Sequence, residues 1–379
     1  MTTPTVHRFF SEGAWVEGVA LSQLDTLAAS SPDIQAIAAM PDLHPGKYGP
    51  VGIGMLSDDI HPAIVGSDIG CGMGLFRTDL SVRKFKAEKI AERLNALDEP
   101  WDGDRSDWLD GHGVNGTIYD GSLGTIGSGN HFCEFQAVHE VMNEAAFEET
   151  GIERDRAVIL VHSGSRAYGY GILEEVLANG RTRLSPESQE GQDYLAAHDN
   201  AVRWAAMNRA IIADRAADAA RDVIVETVAN IPHNFLERHW RGILHRKGAA
   251  PADRGLVPIP GSRETLSYLV RPLPMADPHS LATLAHGAGR KYDRASMHGR
   301  IEKVKSVREG MKRNPFGGIV VCEDRALMLE EAGAAYKNID AVIEQMVEFG
   351  LIEVVATFRP LITFKTGLAH IGDKGKDRR

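Results

Sequence analysis

The stretch "PAIVGSDIGCGMGLFRTDL", residues 62–80, places a glycine-rich turn between two apolar runs, with Asp68 and Cys71 three residues apart inside the turn. A turn by itself needs one or two glycines and no thiol. Glycine-rich backbone leaves both side chains free to aim at one ion, and a thiolate suits softer ions such as Zn²⁺ or Mn²⁺ better than Mg²⁺. The flanking runs "PAIVG" 62–66 and "GLFRTDL" 74–80 are short, apolar and bounded by glycine, so both are expected to be strands.

The same strand signal recurs in "VGIGML" 51–56, "RAVILVHSGS" 156–165 and "LSYLVR" 266–271. Helical periodicity covers 16–27 and 80–97, and an Ala-rich helical region runs over 187–228 from a Ser-Pro pair suited to a helix start. A basic helical block spans 291–313, and the C-terminal part alternates again into "LIEVVATFRPLITFKTG". No solenoid-period repeat and no low-complexity linker interrupts the chain. Glycine-rich and His-containing segments recur from residue 41 to residue 290, so they must converge if they build one site. The expectation is an α/β fold, one large domain over 1–379, with mixed β-sheets, surrounding helices and a central cleft.

Composition bounds the function. The chain has 379 residues, 39 glycines, 15 histidines and only three cysteines. Three scattered cysteines form no disulfide framework, and no run approaches a membrane span or a signal pattern. A cytoplasmic protein with no membrane partner is expected. Net charge is −10. That argues against a non-specific nucleic-acid coat, though a local basic face can still bind RNA.

Seven segments carry chemistry-bearing side chains. "MPDLHPGKYGPVGIG" 40–54 leads into the Asp68–Cys71 loop. "GTIGSGNHFCEF" 124–135 fits neither a P-loop nor a dinucleotide fingerprint, but sets Asn130, His131 and Glu134 at a strand-like start. "ILVHSGSRAYG" 159–169 puts His162 at a strand end, where catalytic groups are favoured; without G-x-S-x-G it is not a serine hydrolase elbow. "NIPHNFLERH" 230–239 offers His233 and Asn234, and "PIPGSRETLSYLV" 258–270 a hydroxyl-rich loop whose N–H groups can hold a nucleotide. "LATLAHGAGRKYDR" 281–294 flanks His286 with glycines that permit close backbone approach, and "RPLITFKTG" 359–367 ends a strand on Lys365. Taken singly, each has an ordinary structural reading as a turn, a cap, a core histidine or a surface lysine. Together they supply five candidate ligands, Asp68, Cys71, His131, His162 and His233, enough for two ions sharing one bridging ligand. A dinuclear metal site beside a nucleotide pocket, and hence phosphoryl transfer, is the expectation.

In order and in content, "PDLHPGKYGPVGIG", "GSDIGCGMG", "GTIGSGNHFCEF", "VHSGSR", "PHN", "PGSRETLSYLV", "HGAGR" and "RPLITFKTG" resemble the RtcB-type RNA ligases, from about residue 36 to residue 366. The resemblance implies a short, bacterial-type member of a GTP- and Mn²⁺-dependent family active in tRNA splicing and RNA repair. Such an enzyme joins an RNA 3′-phosphate or 2′,3′-cyclic phosphate end to a 5′-hydroxyl end. Carried over by position, Asp68, Cys71 and His131 would hold one Mn²⁺, and Cys71, His162 and His233 the second. His286 would attack GTP to form a histidine–GMP intermediate. Asn130, Glu134, His233, Asn234, Pro260, Gly261, Ser262, Arg263, Ser267, Gly287, Ala288, Gly289 and Lys365 match guanylate-contacting positions. The basic segments 241–248 and 303–313 are candidates for the RNA backbone. Arg263-Glu264 stand where the family pattern has Met-Gly, and no glycine follows Arg166. The competing reading is a dinuclear phosphatase or nuclease acting on RNA ends with the same five ligands. Whether the chain is monomeric, and whether a second protein activates it, are left open by the residues.

Overall fold

The strand that begins directly after Cys71, Gly72–Ser81, sits inside an eight-stranded mixed sheet. A computed structural model describes residues 4–274, 276–302 and 304–367 of the chain. In spatial order the sheet runs Val257–Ile259, Ser267–Pro272, Ile352–Thr366, Phe132–Val141, Arg156–Ser163, Gly72–Ser81 and Ile224–Pro232, with Ile319–Cys322 parallel to Ile352–Thr366. A five-stranded sheet holds Thr5–Arg8, Ile34–His44, Val51–Ser57, Gly242–Lys247 and Asn234–His239, and a ribbon pairs Ala249–Pro251 with Thr283–Ala285. One apolar core draws Ala38 and Met40 from the five-stranded sheet and Met73, Leu160 and Phe358 from the eight-stranded one. This matches the expected α/β class with mixed sheets.

Antiparallel register brings the site segments to one edge. Phe132 pairs with His162, His162 with Met73, Gly72 with Ser163 and Gly72 with Pro232. Strands alternate in direction, so the starts of two and the ends of the other two fall side by side. Residues 130–131, 162, 71 and 233 therefore share one end of the sheet.

Helix Gln189–Ala220 lies across this sheet. Ser188 caps it by accepting from Gly191 N, and Trp204, Ala205, Ile211 and Ile212 face inward at helical spacing. It stops at Arg221, which adopts φ 59°. The helix expected over 187–228 therefore ends early. The β-branched "VIVETV" that follows forms strand Ile224–Pro232 instead.

Other boundaries differ as well. "PAIV" is a short helix, Pro62–Val65, because Pro62 has the φ and the missing N–H that suit a first helical position. The segment 80–97 is a strand end followed by helix Ala87–Arg93 between two 3₁₀ turns, Val82–Lys84 and Leu94–Asp98. Within 291–313 two short helices appear, Arg294–Arg300 and Lys305–Gly310, while Lys303 lies outside the described residues. Among the described residues no helix is long and apolar enough to cross a membrane.

Candidate active site

Where the ligand-bearing sheet edge meets the ribbon there is a cavity of about 470 Å³, a size suited to a nucleotide-class ligand. It is lined by Asp68, Cys71, Asn130, Glu134, His162, His233, Asn234, Pro260–Arg263, Ser267, His286, Gly287–Gly289 and Lys365. His131 joins them from one side, with Nε2 2.9 Å from Asp68 Oδ2 and 3.5 Å from Cys71 Sγ. All the side chains singled out in the sequence thus come together in space, although they span residues 68 to 365.

Two groups have metal-ligand spacing: Asp68, Cys71 and His131, and Cys71, His162 and His233. Cys71 belongs to both. Its Sγ lies 3.2 Å from His162 Nε2, which lies 3.3 Å from His233 Nε2. His162 Nδ1 faces the Asn130 carbonyl at 3.2 Å, and His131 Nδ1 faces that of Ile126 at 3.1 Å. At His162 a neutral ring donates through Nδ1, so Nε2 presents its lone pair. Burial, then the neighbouring imidazoles, hold His162 and His233 well below the usual histidine range, and both rings are neutral.

Burial and the adjacent Asp68 carboxylate push the Cys71 thiol well up, against Arg209 and Lys247. Asp68 itself stays ionised: burial would raise it, but His131, Cys71 and Arg166 outweigh that. Buried sulfur, carboxylate and imidazole lone pairs converging at 3 Å are unfavourable without a cation between them, and a bound cation inverts that balance and displaces the thiol proton. The donor set therefore fits one or two borderline-soft divalent ions. Its sulfur and nitrogen content is wrong for a Mg²⁺ cage.

His286 follows the ribbon strand Thr283–Ala285, with its ring centroid 4.6 Å from that of His233. Its Nδ1 is 2.6 Å from Oδ2 of Asp42, and its backbone N donates to the same oxygen at 3.1 Å. Asp42, fully buried near the end of strand Ile34–His44, escaped the reading of residue types. Its signal was an acid inside an otherwise apolar run, in "MPDLHP". Gly289 adopts φ 68° and approaches Asp42 so closely that a Cβ would stand 2.2 Å from the Asp42 carbonyl oxygen. Glycine is required there.

At the far wall, Glu134 accepts hydrogen bonds from Gln136 Nε2 at 2.7 Å and from Thr363 Oγ1. Burial pushes its carboxyl up to about 7, against those donors and Lys365. Gln136 also donates to Ser267 Oγ at 2.9 Å. Lys365 Nζ stands 3.6 Å from Glu331, which also pairs with Arg290 and Arg294 at 3.0 and 3.1 Å. Burial acts to raise Glu331, but Lys365, Arg294 and Arg290 prevail and hold it below the usual range. Lys47, Lys247, Arg290, Arg294 and Lys365 give the cavity a cationic lining in an acidic protein, suited to phosphates.

Two expected contacts are engaged elsewhere. Asn234 Nδ2 donates to Asp68 O at 3.3 Å, and its Oδ1 accepts from Gly248 N at 2.8 Å. The buried Arg263 guanidinium donates to Met328 O at 2.9 Å and lies 3.7 Å from Glu264. Of the basic segments, Arg246 and Lys247 are committed inward, to Glu237 and the Val65 carbonyl.

The family model described as tRNA-splicing ligase RtcB matches residues 23–106 and 115–366. The RNA-splicing ligase RtcB2 of Escherichia coli (strain ATCC 25922) is 40% identical over 94% of this chain and 94% of its own length. The tRNA-splicing ligase RtcB of Nanoarchaeum equitans is 29% identical over 88% of each chain. The RNA-splicing ligase RtcB of Escherichia coli K12 is 28% identical over 94% of this chain and 97% of its own. With the eight-stranded sheet and the whole cavity inside the matched span, the chain belongs to the tRNA-splicing ligase RtcB family.

Proposed function

We propose that this chain is a GTP-dependent RNA ligase, working as one domain in the cytoplasm, that joins RNA 3′-phosphate or 2′,3′-cyclic phosphate ends to 5′-hydroxyl ends. The observation that carries the reading is His286. Its ring is fixed through Nδ1 by a buried carboxylate, beside two metal-ligand triads and in a cationic cavity. With Nδ1–H given to Asp42, Nε2 keeps its lone pair and can attack the α-phosphate of GTP, and pyrophosphate departs. The GMP group then passes from Nε2 to the RNA 3′-phosphate. The 5′-hydroxyl attacks that activated end and GMP leaves as the 3′,5′-phosphodiester forms. A cyclic end is first hydrolysed to the 3′-phosphate.

Two Mn²⁺ ions, held by Asp68, Cys71 and His131 and by Cys71, His162 and His233, would neutralise phosphate charge and orient the leaving group. Asp42 keeps the imidazole in the attacking tautomer and offsets the charge that develops on it, as a buried carboxylate does for a catalytic histidine. Glu134, ionised, can accept from the N1–H and N2–H of guanine, and Lys365 lies across the same wall. A simple dinuclear hydrolase has no use for the His286–Asp42 pair, which favours ligation.

Incubation with α-labelled GTP and Mn²⁺ is expected to give a covalent protein–GMP adduct, and His286→Ala none. A wild-type chain that holds its metal but forms no adduct with any divalent ion would sink the reading.

A further inference from the structure

The metal-ligand strands are held from behind by a side chain that touches none of the cavity. Arg209 lies on helix Gln189–Ala220, is fully buried, and spreads its guanidinium under the sheet edge. Nη1 donates to Gly70 O at 2.7 Å and to Ser163 O at 2.9 Å, and Nε donates to Asn230 Oδ1 at 2.6 Å. Gly70 precedes Cys71, Ser163 follows His162, and Asn230 stands three residues before His233 on its strand. One rigid fork therefore ties together the three segments that carry Cys71, His162 and His233. These hydrogen bonds all go to neutral acceptors, so a cation is buried with no carboxylate bonded to it, an arrangement that costs stability. The helix can come this close because Gly70 lacks a side chain: a Cβ there would stand 2.8 Å from the Val202 backbone.

The other triad has a different tether. Arg166 N donates to Asp68 Oδ1 at 3.3 Å and Arg166 Nη1 to Ile126 O at 2.8 Å, with the same nitrogen 3.2 Å from His131 Nδ1. Its bonds reach Asp68 and His131 but not the strands of His162 or His233.

We infer that Arg209 is a positioning residue for the Cys71–His162–His233 metal position, and that the two metal positions are pre-organised separately, one by Arg209 and the other by Arg166. The inference rests on the two-ion reading above. A planar five-donor guanidinium can span two carbonyls and a side-chain amide at once, whereas an ammonium on a flexible stem cannot reproduce that fork.

The test is metal uptake by the full chain, independent of ligation: Mn²⁺ equivalents and affinities by equilibrium dialysis after EDTA stripping, and the thiolate-to-metal absorption with Co²⁺. Wild type is expected to bind two equivalents. Arg209→Lys is expected to weaken the Cys71–His162–His233 position tenfold or more, the usual effect of losing a group that orients a ligand, and to weaken the other position, which shares Cys71, distinctly less. Arg166→Lys should weaken the complementary position. Asn230→Ala removes the Nε anchor without touching the buried charge and should reproduce the Arg209→Lys pattern; if Arg209→Lys does not fold, Asn230→Ala decides alone.

Two equivalents at wild-type affinity in these variants, or equal weakening of both, overturn the assignment. So does the same pattern in Phe147→Leu, a core change on helix Glu144–Glu149, which lines no part of the cavity and controls for general loosening. A wild-type chain that takes up fewer than two equivalents overturns instead the two-ion reading itself.

Discussion

Asp42 and His286 are separated by most of the chain, yet their contact sets which nitrogen of the imidazole is free to react. Replacing Asp42 by Asn keeps the size but loses the charge, and lets the ring take the wrong tautomer. The guanylate adduct should then form roughly 100-fold more slowly or worse. Metal uptake should be unchanged, since Asp42 lies outside both triads. A rate series with labelled GTP beside a metal titration separates the two.

Glu134 makes a second prediction at this scale. Its folded carboxyl titrates near 7, above the ordinary value of 4.5. The native state thus holds a proton that the unfolded chain has released, and stability from this group falls as pH rises from about 4.5 to about 7. Glu134→Gln should therefore stabilise the chain at pH 8, by roughly 3 kcal/mol at most and with a higher melting temperature, and leave its stability unchanged at pH 4.5. The same change should weaken adduct formation tenfold or more, because a charge-assisted bond to the base is lost. Melting curves at both pH values, read against adduct yield, check the pair of effects. In wild type, adduct formation should fall as pH drops below 7, because the protonated carboxyl accepts poorly.

Among elements, strand Gly72–Ser81 is the one on which the site turns. It is flanked by the His162 strand and by Ile224–Pro232, which ends one residue before His233, and Gly72 pairs with Ser163 on one side and Pro232 on the other. A Cβ on Gly72 would meet the Ile231 carbonyl oxygen at 2.3 Å and the Pro232 Cα at 2.7 Å, both backbone atoms that cannot swing aside. Gly72→Ala is expected to destabilise the fold by about 1–3 kcal/mol through overpacking. It should also separate Cys71 from His233, so that metal affinity falls by more than the stability loss alone accounts for. Chemical denaturation with and without Mn²⁺ measures both. Element type in this region was legible from glycine spacing and β-branched runs. "PAIV" was not, because four apolar residues fit a helix turn or a strand equally, and only Pro62 at the first helical position decides.

For the molecule as a whole, the cavity is a junction: one end of the eight-stranded sheet and its adjoining loops supply the five candidate ligands, while Asp42 comes from the five-stranded sheet and His286 from the residue after the ribbon. An ion bound there bridges segments that are far apart in the unfolded chain, so binding and folding are linked. Saturating Mn²⁺ should raise the melting temperature, with about 2.7 kcal/mol gained at a free concentration 100 times the Kd. Cys71→Ser should remove most of that gain because it serves both triads, while Asp68→Ala should leave the part due to Cys71, His162 and His233. Thermal scans of the three chains across a Mn²⁺ series give the comparison.

The residue types and their order were enough to determine the α/β class and the family, and to single out side chains that the fold brings to one cavity. Thiol, carboxylate, imidazole and glycine at those positions have few other joint uses, and chemistry of that kind is local to each motif. The tertiary structure alone decided which of them meet. Antiparallel register, not spacing, puts His131, His162, Cys71 and His233 on one edge. Asp42 and Arg209 were invisible beforehand because an acid near the end of an apolar strand and an arginine in a long helix look ordinary until packing buries them. Their roles arise from contacts between segments as many as 244 residues apart, which no local pattern encodes.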